Sequence, residues 1–428
     1  MQMVYKCGTD PHRHPRPMTI RLLCAMLAVW VGGASAQATP LNLERIAFES
    51  GERAAQPSVT VDPGSGFVVT WQEHEGEGSA LRYALVDANG EEQRRGRVAG
   101  GPGRFVNHAD FPSLAVLDNG DWVTFWLQKS AASTYAYDIQ TIRSRDQGRH
   151  WDAPVVIHRD ATATEHGFVS MVAAGEDRVR LIWLDGRKMA STTDAHGHGH
   201  GGEGPMTLRG AILGRSGVPV DERELDSMTC SCCQTDMARG SRRTLAVYRD
   251  RSAGEVRDIS AVSVDAAGVS PPRQVHEDGW VMQGCPVNGP ALAARGDRFL
   301  AVWPTMADES MKVRIAMDTD GEFATPASLA RGSAELGRVD VVAHGEGWFV
   351  SRVSERNGKP ALILSRLSSA GTPGTEQVVA PSVLGYPRMA ASGEVVLLVF
   401  AEPAEAGNTR IAAVRGTPIS GSDRQVSP

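Results

Sequence analysis

The sequence predicts an all-β chain folded as a single β-propeller of seven blades, with six as the alternative count. Three observations carry this. Apolar runs of four to six residues, rich in β-branched side chains and bounded by Gly, Asp or Asn, recur without any helical period. The second run of each unit ends in an aromatic, at Trp71, Trp126, Trp183, Tyr248, Trp303 and Phe400, with spacings of 55 to 65 residues and one double gap of 97. That gap contains Gly347-Trp348-Phe349-Val350-Ser351, a copy whose aromatics are displaced. The last unit runs out near Val414 after three strands, and Leu41 to Phe48 can supply the fourth, so that both chain ends fasten one blade and close the ring.

Taken in order, the chain opens with an extension, residues 1–17, and then an export signal. Met18-Thr19-Ile20-Arg21 is its basic part, Leu22 to Val31 its apolar run, and Ala34-Ser35-Ala36 its cleavage site. Residues 1–36 are therefore set aside, residues 37–420 form the propeller, and residues 421–428 are expected to be a disordered tail. Beyond Gln37 no apolar run approaches the ~20 residues that span a bilayer. The expected destination is outside the cytoplasm, most simply the periplasm. The innermost strands are expected at Pro57 to Val61, Pro112 to Val116, Phe168 to Val172, Cys233 to Met237, Gly289 to Ala293, Arg338 to Val342 and Pro387 to Ala390. A net charge of -6 and scattered arginines exclude a nucleic-acid surface.

One turn carries a signature. Ser144-Arg145-Asp146-Gln147-Gly148-Arg149-His150-Trp151 fits S-x-D-x-G-x-x-W and resembles the Asp box of the sialidase-like, BNR-repeat propellers. The expected roles are structural: Ser144, Asp146 and Gly148 cap the turn between third and fourth strands, and Trp151 packs between strands. Degenerate copies stand at Asp87 to Gly90, Asp265 to Gly268 and Asp318 to Gly321.

Up-and-down pairing puts the connections between blades and the loops between second and third strands on one face of the disc, called the top. All four cysteines after the signal fall there. Cys230, Cys232 and Cys233 lie at the start of the fourth unit, and Cys285 lies in the lead-in to the fifth. Three or four thiolates suit Cu(I) or Zn(II), and thioether sulfur from Met237 or Met282 favours copper. A loop of the third unit on the same face carries His196, His198 and His200, alternating with glycine in the manner of a metal collector. The leading expectation is a soft-metal site, Cu(I) before Zn(II), serving metal handling or a metal-dependent interaction, with no organic cofactor. Disulfides are the competing state, because paired cysteines are usual in exported proteins. Since Cys232 and Cys233 are adjacent and cannot both bridge to Cys285, full pairing needs a tight bond within Cys230 to Cys233. The chain would then be a stapled propeller presenting a binding surface.

The sialidase resemblance implies a second activity, glycoside hydrolysis, with arginines for a sugar carboxylate, a tyrosine nucleophile and an acidic proton donor. The matching candidates are Arg249, Arg257, Arg338 and Arg388 for the carboxylate, Tyr386 for the nucleophile, and Asp250 or Asp258 for the acid. The chain departs from that pattern in lacking the expected Arg-Ile-Pro segment and in its seventh copy. The run from Cys230-Ser231-Cys232-Cys233-Gln234-Thr235, through Tyr248-Arg249-Asp250-Arg251, to Gly284-Cys285-Pro286-Val287-Asn288-Gly289-Pro290 resembles a group of exported bacterial proteins labelled sialidase-like or exo-α-sialidase.

Overall fold

Seven antiparallel sheets, six of them built from consecutive strands and the seventh from both ends of the chain, make up the computed structural model, which describes residues 40–190, 204–265 and 268–419. Blade 1 runs from Ala55–Asp62 to Glu92–Gly101, blade 2 from Leu114–Val116 to Val155–Val156, and blade 3 from His166–Ala173 to Pro219–Asp226. Blade 4 runs from Asp236–Arg239 to Arg273–His276, blade 5 from Ala291–Arg295 to Ala327–Arg331, and blade 6 from Glu335–His344 to Pro373–Ala380. Blade 7 has three strands of its own, Leu384–Ser392, Val395–Pro403 and Thr409–Pro418. Its fourth is Leu41–Ile46, paired antiparallel with Thr409–Pro418 from Leu41 opposite Pro418 to Ile46 opposite Ala413. The expected seven blades and their closure by the N-terminal strand are therefore both present.

The aromatics that set the repeat are what the blades bury. Trp183, Tyr248, Trp303 and Phe400 are wholly inaccessible; in the displaced sixth copy Arg352 stands at that register, and the buried Trp348 lies near the other end of the strand, level with Phe299 of blade 5. Each hydrophobic cluster joins side chains of two neighbouring sheets, as when Phe299 and Trp303 of blade 5 pack on Val247 and Ile259 of blade 4. The complete Asp box caps its turn as expected. Ser144 Oγ accepts from the Gly148 amide at 2.7 Å, and Asp146 Oδ1 accepts from the His150 amide at 2.8 Å. Trp151 packs edge-on to Tyr83, whose hydroxyl donates to the Gly148 carbonyl.

The inner strands begin two or three residues from the expected positions, and the shift in blade 4 bears on the cysteines. The inner strand of blade 4 starts at Asp236, not Cys233, because the residues before it are tied sideways instead of into the ladder. Thr235 Oγ1 donates to the Phe168 carbonyl of blade 3, and Gln234 Nε2 donates to the Ala109 carbonyl ahead of blade 2.

Candidate functional site

The lead-ins to blades 4 and 5 meet over the mouth of the central channel, and their side chains hold them there. Gln234 reaches both ways, donating to Ala109 and accepting from the Gly289 amide at 2.9 Å. Gly289 is required at that approach, since a Cβ would stand 2.1 Å from the Gln234 carbonyl oxygen. Asn288 accepts the Arg338 amide on its side-chain oxygen and donates to the Leu336 carbonyl, both in blade 6. Tyr386 of blade 7 donates its hydroxyl to the Val287 carbonyl. Beneath this plug lies a cavity of about 150 Å³ whose walls include Ser58, Thr60, Phe168, Thr235, Asp236 and Arg388.

Within the plug, Cys232 and Cys285 form a disulfide that links the two lead-ins. Cys230 and Cys233 are free thiols, both fully buried, with their sulfurs 2.7 Å apart. Cys230 Sγ also lies 3.7 Å from Cys232 Sγ. The two thiols are electrostatically unequal. Burial raises the Cys230 pKa, but the Cys233 thiol, the Cys232 amide and the positive charges of Arg249 and Arg257 outweigh it and bring it down to about 7. Burial and the neighbouring Cys230 push Cys233 well above the usual thiol range. Cys230 is therefore the member of the pair that ionises first.

The residues matched to glycoside hydrolysis hold this plug together. The Arg249 guanidinium makes four hydrogen bonds, from Nε and Nη2 to the Asn288 carbonyl, from Nη1 to the Arg257 carbonyl and from Nη2 to the Pro304 carbonyl, at 2.6–3.0 Å. Its plane lies over Trp280, 4.8 Å from the ring centre. Of its five N–H groups only one is left for a ligand. Asp258 accepts the amides of Gly279 and Trp280, Arg257 pairs with Glu255 at 2.6 Å, and Asp250 accepts the Ser260 hydroxyl and the Arg251 amide. Arg388 lies in the channel, 3.5 Å from Asp340.

Met237 is buried in the apolar cluster against which Cys232 packs, and Met282 sits on the far side of the blade 4 loop, its amide donating to the Glu255 carbonyl. His196, His198 and His200 lie outside the described residues.

Two groupings escaped sequence reasoning. The first is a set of carboxylates that staple neighbouring inner strands. Asp110 Oδ1 accepts the Phe168 amide of blade 3, Asp236 Oδ2 the Leu292 amide of blade 5, and Asp340 Oδ2 the Met389 amide of blade 7. Burial raises the pKa of Asp110 to about 8 and of Asp236 to about 6. Asp236 and Asp340 occupy the same phase of the repeat, which was the available signal. The second lies where blade 2 meets blade 3. Tyr137, wholly buried, donates to Glu165 at 2.7 Å, and burial raises Glu165 to about 7. Beside it His158 and His166 stack face to face, 3.7 Å apart, among Asp138, Asp160 and Asp185.

Fold and site together define an all-β, seven-bladed propeller whose channel mouth is closed by a cysteine-bearing plug. The chain matches no protein-family profile and no curated protein. Among solved structures it is similar to a protein of unknown function from Dyadobacter fermentans, with 11% identity and a TM-score of 0.49 over 89% of this chain and 99% of that one. It is also similar to the Trypanosoma rangeli sialidase in its covalent intermediate, with 10% identity and a TM-score of 0.47 over 83% of this chain and 59% of that one. A sialidase from Streptococcus pneumoniae aligns with 9% identity and a TM-score of 0.44, over 82% of this chain and 83% of that one. Among the described residues no helix is long and apolar enough to cross a membrane.

Proposed function

We propose that this chain is an exported, most simply periplasmic, metal-binding propeller that takes up a soft ion, Cu(I) in preference to Zn(II), through Cys230 and Cys233. The observation that carries the reading is the buried pair of free thiols 2.7 Å apart, with the positive charges of Arg249 and Arg257 favouring a thiolate. The donor set fits a soft ion, since thiolates select Cu(I) and Zn(II) over harder cations. It fits zinc less well, because a structural zinc wants four ligands and the disulfide withdraws Cys232 and Cys285. The pair is closer than two sulfurs around one ion, so uptake opens it. The same closeness lets it shut as a disulfide, and oxidation and metal therefore compete for these two residues.

The test is anaerobic Cu(I) titration of the mature chain against a chromophoric competitor. One equivalent should bind, and Cys230→Ser together with Cys233→Ser should abolish it. Cys285→Ser should retain or tighten binding, because it releases Cys232 as a third thiol. Uptake that survives loss of both buried cysteines overturns the proposal.

The disulfide between the lead-ins favours a second reading, in which the plug is a stapled surface that binds a partner or small ligand without metal. Mass mapping of the native chain separates the two: that reading requires Cys230 and Cys233 to be linked. The hydrolase alternative places Arg249, Asp250, Arg257, Asp258, Tyr386 and Arg388 around a substrate, and its test is turnover of a sialoside reporter.

A further inference from the structure

We propose that Asp138, His158 and His166 form a second metal site, for a borderline divalent cation such as Zn(II), where blade 2 joins blade 3. The site is independent of the cysteines. It sits one blade earlier in the ring, in the corresponding blade connection. Asp138 opens the third strand of blade 2, His158 follows its last strand, and His166 begins the inner strand of blade 3. One ligand atom from each of the three lies within 4.8 Å of the others.

The decisive atom is His158 Nε2. The side chain is 3% exposed, and this nitrogen has no hydrogen-bond partner. A buried polar atom without a partner is costly, so natural sites seldom keep one unless something fills it. Its neighbour across the gap is Asp138 Oδ1, at 3.7 Å. That distance is too long for a hydrogen bond. It is what two ligands leave when each stands roughly 2.0–2.2 Å from one ion between them.

The surroundings orient the ligands as metal sites do. His158 Nδ1 is held by Asp160 at 2.9 Å, which is the carboxylate–histidine arrangement that fixes the ring and raises the basicity of its other nitrogen. Asp160 is fixed in turn by the Thr162 amide and hydroxyl and by Arg187 at 3.4 Å. Asp185 is occupied by Arg187 and by the Trp183 indole, so it supports the site from behind. Imidazole with carboxylate selects zinc-like ions over Cu(I), which separates this site chemically from the thiol pair. His166 has Nδ1 3.2 Å from the Tyr137 carbonyl and Nε2 3.2 Å from Asp160, and its ring stands 3.7 Å from that of His158 and only 5° from parallel, so it becomes a ligand only by releasing Asp160, and the two rings as they stand cannot both aim an in-plane lone pair at one ion. Binding must turn one ring and break the stack.

The experiment uses the full mature chain carrying Cys230→Ser and Cys233→Ser, with His196, His198 and His200 also changed to Ser, so that neither thiols nor the glycine-rich loop compete. Equilibrium dialysis against Zn(II) alone should show one equivalent bound, with loss of the paired-ring signature in histidine NMR spectra. His158→Gln should abolish uptake. Asp138→Asn should do the same or weaken it at least tenfold, and Asp160→Asn should weaken it on the order of 10- to 100-fold by releasing the His158 ring. Circular dichroism of each variant confirms the fold, and His158→Gln keeps a polar side chain of similar reach for that purpose. Absence of zinc uptake by the thiol-free chain, or uptake indifferent to both His158→Gln and Asp138→Asn, overturns the proposal and leaves a water bridge between the two side chains.

Discussion

Replacing Arg249 by methionine keeps most of the side-chain volume but removes four hydrogen bonds that serve the carbonyls of Asn288, Arg257 and Pro304. Arg249 is 1% exposed, so water cannot substitute for the missing donors. Three stranded carbonyls at about 1 kcal/mol each, the low end for buried groups, amount to about 3 kcal/mol. Loss of the stack on Trp280 adds roughly 0.5–2 kcal/mol, and relief of a buried charge offsets part of the sum. The expected net loss is about 2–4 kcal/mol. Urea denaturation should show the midpoint falling with the slope unchanged. Arg249→Lys should recover only a fraction, since a single ammonium cannot serve three carbonyls spread around a planar fork. A second readout concerns the thiols. The charge of Arg249 lowers the Cys230 pKa, so its removal should raise that pKa above about 7 and shrink the thiolate absorbance at neutral pH. A stability loss below about 1 kcal/mol with an unchanged thiolate titration would refute the view of Arg249 as the clamp of the plug.

Two further outcomes follow from the fold. Burial raises the Asp110 pKa to about 8 from an ordinary 3.8, so the stability linked to its neutral form is complete below about pH 4 and is lost as pH rises through 8. Asp110→Asn keeps the acceptor for the Phe168 amide but does not titrate, so its melting temperature minus that of the wild type should climb steadily from pH 4 to pH 8; a flat difference contradicts the assignment. Gly148 and Gly120 share a φ of +84°, but a Cβ on Gly148 would stand 2.6 Å from the Tyr83 ring while one on Gly120 meets nothing within 4 Å. Gly148→Ala should therefore cost about 1–3 kcal/mol more in thermal unfolding than Gly120→Ala, and equal effects would remove the packing role given to the Asp box.

What was legible in the chain was its periodic part. The spacing of Trp71, Trp126, Trp183, Tyr248, Trp303 and Phe400 reports the burial of one face per blade, and burial is imposed by the period of a strand. The closing strand was legible for the same reason, because a three-stranded last blade needs a partner. The cysteine segment was located correctly, but its pairing was left open, since sequence separation says nothing of which sulfurs the blade connections bring together. The partners of the arginines and carboxylates were not legible, for a physical reason. Arg249, Asp258 and Tyr386 are polar residues at strand ends on a functional-looking face, and only the path of the backbone shows that they bond to carbonyls and amides of the plug. His158 and Asp138 carried no signal at all, being twenty residues apart, one on the third strand of blade 2 and the other beyond its last strand.

The polar residues of the ring mouth divide by what the backbone leaves unpaired. At the inner edge the first strands of adjacent blades approach without a ladder between them, and their amides need acceptors. Asp110, Asp236 and Asp340 supply these at alternate joins, and between blades 3 and 4 Ser170 serves a carbonyl instead, donating to that of Thr235 at 2.7 Å. Such residues are fully engaged and have little left for a ligand. Cys230, Cys233 and His158 Nε2 differ: they are buried and reactive or ligating, the two sulfurs lie against each other, and His158 Nε2 has no hydrogen-bond partner. None of these three atoms closes a join between blades, so substitutions there should disturb metal uptake more than folding, the reverse of what is expected at Asp110, Asp236 and Asp340.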